Sequence, residues 1–215
     1  MRHAHALPYE LQVSGTADLA HGAFRIDFAN SGEAGARFQV RSGNTADGPW
    51  TYTVEAGKSL PSSWSLAQTN QGRYDLSVFG PNGFLRTFRG SLSPNAKTNL
   101  DVDSSYDTDG YNVVLRITNR GPVPCRATVA NAYDNDSVVR VLRPGQSFRD
   151  RWSLRSSFGW YDLAVQANTD QAFLCRLAGH VENGRDSASD PAIGSVGQGA
   201  HNQSGMSRGV RGVDF

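Results

Sequence analysis

Carboxylates spaced for a hard cation are the sharpest local feature of this sequence. The run Asp101-Val102-Asp103-Ser104-Ser105-Tyr106-Asp107-Thr108-Asp109-Gly110 offers oxygen ligands at alternate positions, followed by a glycine. Asp101, Asp103, Asp107 and Asp109 are therefore candidate Ca²⁺ ligands, since Ca²⁺ takes oxygen ligands from a chain wrapped around it. The spacing is not that of an EF-hand, because a third ligand and the terminal Glu are missing. The competing reading is a polar loop between the first two strands of a β module. Asp134-Asn135-Asp136 reads as a turn. His3 and His5 are spaced to chelate a metal on an extended chain, but two ligands make an incomplete site, and they read as a solvated linker. No Gly-x-Ser-x-Gly elbow or other nucleophile context accompanies the serines.

Aromatic side chains supply the second candidate chemistry. Trp50 follows Gly48-Pro49, Phe84 follows the turn Gly80-Pro81-Asn82-Gly83, and Trp160 follows Phe158-Gly159. At a loop tip, such rings insert into a bilayer interface or stack on a choline or sugar ring. Trp64, Trp152, Tyr74 and Tyr161 recur at equivalent places and read as core. The two cysteines, Cys125 and Cys175, fit no zinc spacing. They are either buried thiols or one disulfide, which would stabilise by about 3–4 kcal/mol.

The elements that carry these residues are β-strands, and they occur twice. Phe24-Arg25-Ile26-Asp27-Phe28-Ala29-Asn30-Ser31-Gly32 parallels Val113-Val114-Leu115-Arg116-Ile117-Thr118-Asn119-Arg120-Gly121. Gly57-Lys58-Ser59-Leu60 before Trp64 parallels Gly145-Gln146-Ser147-Phe148 before Trp152. Tyr74-Asp75-Leu76-Ser77-Val78 parallels Tyr161-Asp162-Leu163-Ala164-Val165, and Phe84, Leu85 and Gly90 parallel Phe173, Leu174 and Gly179. The offset is nearly constant and the order is kept, so we read two homologous modules, 6–93 and 97–183, joined by a short linker at 91–97. Apolar residues alternate with polar ones at a period of two, and turn signals recur every 8–12 residues or so. That pattern predicts an all-β fold of two tandem immunoglobulin-like antiparallel β-sandwich modules. From 184 to 215 the composition is dominated by Gly, Ser, Asp, Asn and Arg, which predicts a flexible tail.

Bulk properties narrow the function classes. Of 215 residues, 38% are hydrophobic and 19% charged, and 21 basic residues balance 20 acidic ones to a net +1. This balance gives no long-range attraction to nucleic acid. No stretch approaches the roughly 18 apolar residues of a membrane helix. The start, Met-Arg-His-Ala-His-Ala-Leu-Pro, lacks the apolar region of a secretory signal, so export would require a longer parent.

The strings Leu7-Pro8-Tyr9-Glu10-Leu11, Phe38-Gln39-Val40, Gly48-Pro49-Trp50-Thr51-Tyr52-Thr53-Val54 and Tyr74-Asp75-Leu76-Ser77-Val78-Phe79-Gly80-Pro81-Asn82-Gly83-Phe84 resemble the C-terminal region of bacterial phosphocholine-specific phospholipases C. The resemblance runs from about residue 6 to 193 and is looser in the second module. It implies a parent with a large N-terminal α/β domain that carries a metal centre and a threonine-type nucleophile. That domain releases phosphocholine from phosphatidylcholine or sphingomyelin and is exported. No position here matches a catalytic residue of that domain. The expected role is therefore non-catalytic: packing on the catalytic domain, or placing it on a phosphatidylcholine surface. The alternative is a stand-alone carbohydrate- or protein-binding sandwich.

Overall fold

The computed structural model describes residues 3–65, 72–107, 111–134 and 136–192. Sixteen strands and no α-helix occupy them. In chain order they are β1 (His3–Ala4), β2 (Leu11–Asp18), β3 (Ala23–Asn30), β4 (Ala36–Ser42), β5 (Trp50–Val54), β6 (Lys58–Ser65), β7 (Arg73–Phe79) and β8 (Leu85–Ser91). Then follow β9 (Leu100–Tyr106), β10 (Asn112–Asn119), β11 (Cys125–Asn131), β12 (Ser137–Leu142), β13 (Ser147–Ser153), β14 (Trp160–Ala167), β15 (Asp170–His180) and β16 (Ser187–Ala188).

The strands build a β-sandwich. One layer is an eight-stranded sheet in the order β12-β11-β14-β15-β8-β7-β4-β5. The other comprises two three-stranded sheets, β2-β3-β6 and β13-β10-β9, with β2 lying beside β9. All pairings are antiparallel. The eight-stranded sheet is continuous because β8 pairs with β15, from Leu85↔Ala178 to Arg89↔Leu174. A single hydrophobic core therefore runs from Leu11 to Val181.

Alternation decides which side chains fill that core. In β3, Phe24, Ile26 and Phe28 are buried, and Arg25 and Asp27 face out as an ion pair. Phe28 meets Phe38 of β4 at 5.3 Å, and Phe24 stacks on Tyr74 of β7 at 4.3 Å, so rings from the two layers interlock. Burying each such phenyl contributes about 1.5–3 kcal/mol.

Two polar devices stitch the layers. At the end of β3, buried Asn30 donates to the carbonyls of Ala34 and Val54 and accepts from the Gly32 amide. At the end of β10, Asn119 does the same with Val123, Leu142 and the Gly121 amide. Each following glycine leaves room for an incoming chain: a Cβ would stand 2.4 Å from the Pro8 carbonyl oxygen at Gly32 and 2.6 Å from that of Lys97 at Gly121. The second device is Arg86 on β8, which is fully buried. It donates to the carbonyls of Leu85 and Ala178 and to the hydroxyl of Tyr161 (2.9 Å), which bonds that of Tyr106; Tyr106 in turn donates to the Leu11 carbonyl. Its guanidinium also lies 4.2 Å from the Phe84 ring centre. Burial disfavours the charge, but the attraction and hydrogen bonds of Tyr161 and Tyr106 more than offset it, so Arg86 stays protonated. Arg86 and the two tyrosines thus tie β8, β15, β14, β9 and β2 together.

Two sequence expectations need correction. The acidic run is not a loop at its start: Asp101 and Asp103 lie on β9, facing outward in alternation with buried Leu100 and Val102. The short linker at 91–97 is packed, since Leu92 is buried and its amide bonds the Gly72 carbonyl. The tail expected from 184 is docked as far as 192: β16 pairs with β1, and Tyr133 donates to Asp190. The remainder, 193–215, lies outside the described residues.

Two outcomes are expected from these devices. Asn30→Ala and Asn119→Ala should each lower stability by about 2–3 kcal/mol in urea unfolding. Asn119→Asp should cost more, since it keeps the acceptor but turns a carboxylate towards two carbonyls. Arg86→Ala should cost about 3–5 kcal/mol by the same measurement, with Arg86→Met recovering part through restored volume.

Candidate functional site

The residues singled out from the sequence do not converge on one site. Asp101 pairs with Arg120 (2.8 Å), Asp103 with Arg116 (2.7 Å) and Asp107 with Arg151 (3.0 Å). Asp109 lies outside the described residues. Among the described residues, no group of three or more His, Cys, Asp or Glu side chains is placed to hold a metal. Cys125 and Cys175 are free, buried thiols. They sit on β11 and β15 with β14 between them, and two strand spacings of about 4.8 Å each exceed the reach of a disulfide. Burial pushes the Cys175 thiol up to about 12, which makes it inert.

The aromatic candidates separate as well. Phe84 is not at a loop tip: it is 5% exposed, edge-on to Phe38 and beneath Arg86. The Gly80–Phe84 hairpin closes on itself and turns the ring inward. Trp50 is half-buried at the start of β5, edge-on to Trp64. Trp160 is also half-buried, and its indole Nε1 donates to the Ala188 carbonyl under the docked C-terminal segment. The ring most exposed in this region is Phe158, at 42%.

Around Trp160 the structure does bring polar groups together. His180 ends β15 directly opposite Trp160, and the two rings lie 4.9 Å apart. The His180 side chain is 6% exposed. Its Nδ1 is 3.0 Å from Glu182 Oε1, and its Nε2 is 3.0 Å from Ser187 Oγ and 3.1 Å from the Phe158 carbonyl oxygen. Glu182 also accepts from Asn82 Nδ2 (2.6 Å) and from the Leu7 amide (3.1 Å). Burial pushes the Glu182 carboxyl up, but these hydrogen bonds outweigh it and hold the group below the usual carboxylate range. Beside this cluster opens a cleft of about 550 Å³, lined by His3, Tyr111, Arg155, Phe158, Asn183 and Asp186 among others.

The order Ser187–His180–Glu182 has the hydrogen-bond sequence of a nucleophile relay. Its surroundings give it a different role. The Ser187 hydroxyl already donates to the Phe158 carbonyl at 2.8 Å. The nearby amides of Gly159 and Val181 are spent on the carbonyls of Leu154 and Gly159, leaving neither for a developing oxyanion. The cluster is a clamp. It locks together the turn at 154–159, the end of β15, the C-terminal segment with β16, and the chain at Leu7. Gly159 makes the fit possible: its φ is +89°, and a Cβ there would lie 2.8 Å from His180 Nε2.

Sequence reasoning passed over His180, Glu182 and Ser187 because no local spacing marks them. The Phe158-Gly159 pair was visible, but only as the approach to Trp160.

The family described as bacterial phospholipase C, C-terminal domain, matches residues 3–91 and 100–180. The chain is 51% identical over 199 residues to a non-hemolytic phospholipase C of Burkholderia pseudomallei, covering 91% of this chain and 28% of that protein. It is 38% identical over 213 residues to a hemolytic phospholipase C of Pseudomonas aeruginosa, and 38% identical over 205 residues to a non-hemolytic one. Those matches cover 87% and 90% of this chain and 29% of each relative. The chain thus spans under a third of the length of these relatives.

The clamp predicts a pH signature. Glu182 has a depressed folded-state pKa, so its contribution is complete above its ordinary value of 4.5 and is lost as pH falls through the folded value. Glu182→Gln should lower stability by about 1–2 kcal/mol at pH 7, in urea unfolding. The gap to wild type should narrow below about pH 4.5.

Proposed function

The chain belongs to the family of bacterial phospholipase C C-terminal domains, and from that membership we propose that it is a non-catalytic accessory region of an exported phospholipase C that packs against the catalytic domain. The observation that carries this reading is where the matches fall: most of this chain aligns with only 28–29% of each relative, in its C-terminal part. The continuous eight-stranded sheet and single core supply a rigid body suited to such packing. Phosphatidylcholine or sphingomyelin would then be the parent's substrate, with the chemistry carried by the parent's other part. The two halves are best understood as one module duplicated, since β9 to β15 repeat the sheet order of β2 to β8.

A membrane-positioning role has less behind it. Of the three rings proposed for insertion, Phe84 is core, and Trp50 and Trp160 are half-buried.

The test is a replacement. The matching region of the Burkholderia relative is deleted, or exchanged for this chain. The exchanged protein is expected to keep phospholipase C activity, the deleted one to lose soluble, active yield, and this chain alone to release no phosphocholine. Equal activity and yield with and without the region would remove the accessory role, and hydrolysis by the isolated chain would make it an enzyme.

A further inference from the structure

Phe158 combines exposure with backbone strain. It has a φ of +57°, a left-handed conformation that is costly for a bulky side chain. The clamp sets it: the Ser187 hydroxyl donates to the Phe158 carbonyl, His180 Nε2 lies 3.1 Å from the same oxygen, and the phenyl ring is left 42% exposed. Other exposed apolar side chains have ordinary settings. Phe79 lies under the Arg41 guanidinium at 5.1 Å. Val139 and Val141 flank Arg140 on the edge strand β12.

The position of Phe158 says what covers it. The ring lines the rim of the 550 Å³ cleft, and His3 lines the same cleft. His3 belongs to β1, which is fixed there by pairing with Ala188 of β16. Polypeptide joined ahead of His3 therefore leaves the fold from the rim that carries Phe158. In the relatives the matched region is the C-terminal part, so some seven-tenths of the polypeptide is joined on that side. A tethered neighbour meets its nearest surface at high effective concentration. Aromatic anchors beside a pocket are the side chains that carry most docking energy.

We propose that the cleft rim around Phe158 is the docking surface for the catalytic domain, with the phenyl ring as its anchor and the His180–Glu182–Ser187 clamp as the device that presents it. This rests on the accessory-region reading above. It names the surface, which that reading leaves open.

Hydrogen exchange tests it on the intact chain and on the Burkholderia enzyme carrying this chain as its C-terminal region. Amides of 155–160 are expected to exchange about tenfold more slowly in the fusion than in the isolated chain. Phe158→Gly suits the φ and removes the ring, so it should abolish that difference. Phe79→Ala, an equally exposed ring elsewhere, should leave it unchanged. An active fusion with unaltered exchange at 155–160 would overturn the docking surface while leaving the accessory role standing. An inactive fusion would overturn both. Protection of 155–160 in the isolated chain by phosphatidylcholine vesicles would instead give the ring to the lipid surface and sink the proposal.

Discussion

The pairing of β8 with β15 is the constraint on which the molecule depends. Each strand would otherwise be a sheet edge, with a row of unpaired amides and carbonyls open to any other strand. Joined from Leu85↔Ala178 to Arg89↔Leu174, they convert two four-stranded sheets into one of eight and merge two cores. The register also fixes where Arg86 falls. It stands opposite Leu177, within reach of the Ala178 carbonyl and of Tyr161. A slip of one residue would turn this guanidinium to the outer face and leave Tyr161 and Tyr106 without it. The seam, the buried charge and the tyrosine pair are therefore one arrangement, and the turn at 154–159 and the β15 terminus inherit their positions from it.

At one corresponding ladder position the two halves differ in kind. Arg86 and Cys175 occupy matching places, opposite Val78 and Val165 respectively. On one side a charged side chain bridges the layers. On the other a thiol lies among Gly15, Phe24, Tyr74 and Phe88, around a void of only about 10 Å³. Packing on the Cys175 side is completed by rings, and on the Arg86 side by hydrogen bonds.

What the sequence disclosed follows from the range of the physics involved. Alternation is local, so the strands, the all-β class and the core rings Phe24, Ile26 and Phe28 could be read directly. Paired strings also exposed structural positions. The Asn-x-Gly endings proved to be layer brackets, and Gly90 and Gly179 sit opposite Tyr74 and Tyr161, where a Cβ would come within 2.4 and 3.1 Å of the hydroxyl oxygens. The candidate site was not legible because its members are far apart in sequence. Leu7, Asn82, Phe158, His180 and Ser187 meet only in the folded chain. Asp101, Asp103 and Asp107 are neighbours in sequence, yet each is matched by a different arginine, which no local spacing reveals.

The ladder between β1 and β16 is two residues long on each side, yet it joins residues almost the whole described chain apart. The folded sandwich already brings the two ends together, so the ladder itself adds very few hydrogen bonds. Local opening of the native state should begin there rather than in the shared sheet. Its first product is a molecule whose sandwich is intact but whose Trp160 indole has lost the Ala188 carbonyl. Fraying of these termini and loosening of the cleft wall are therefore one motion.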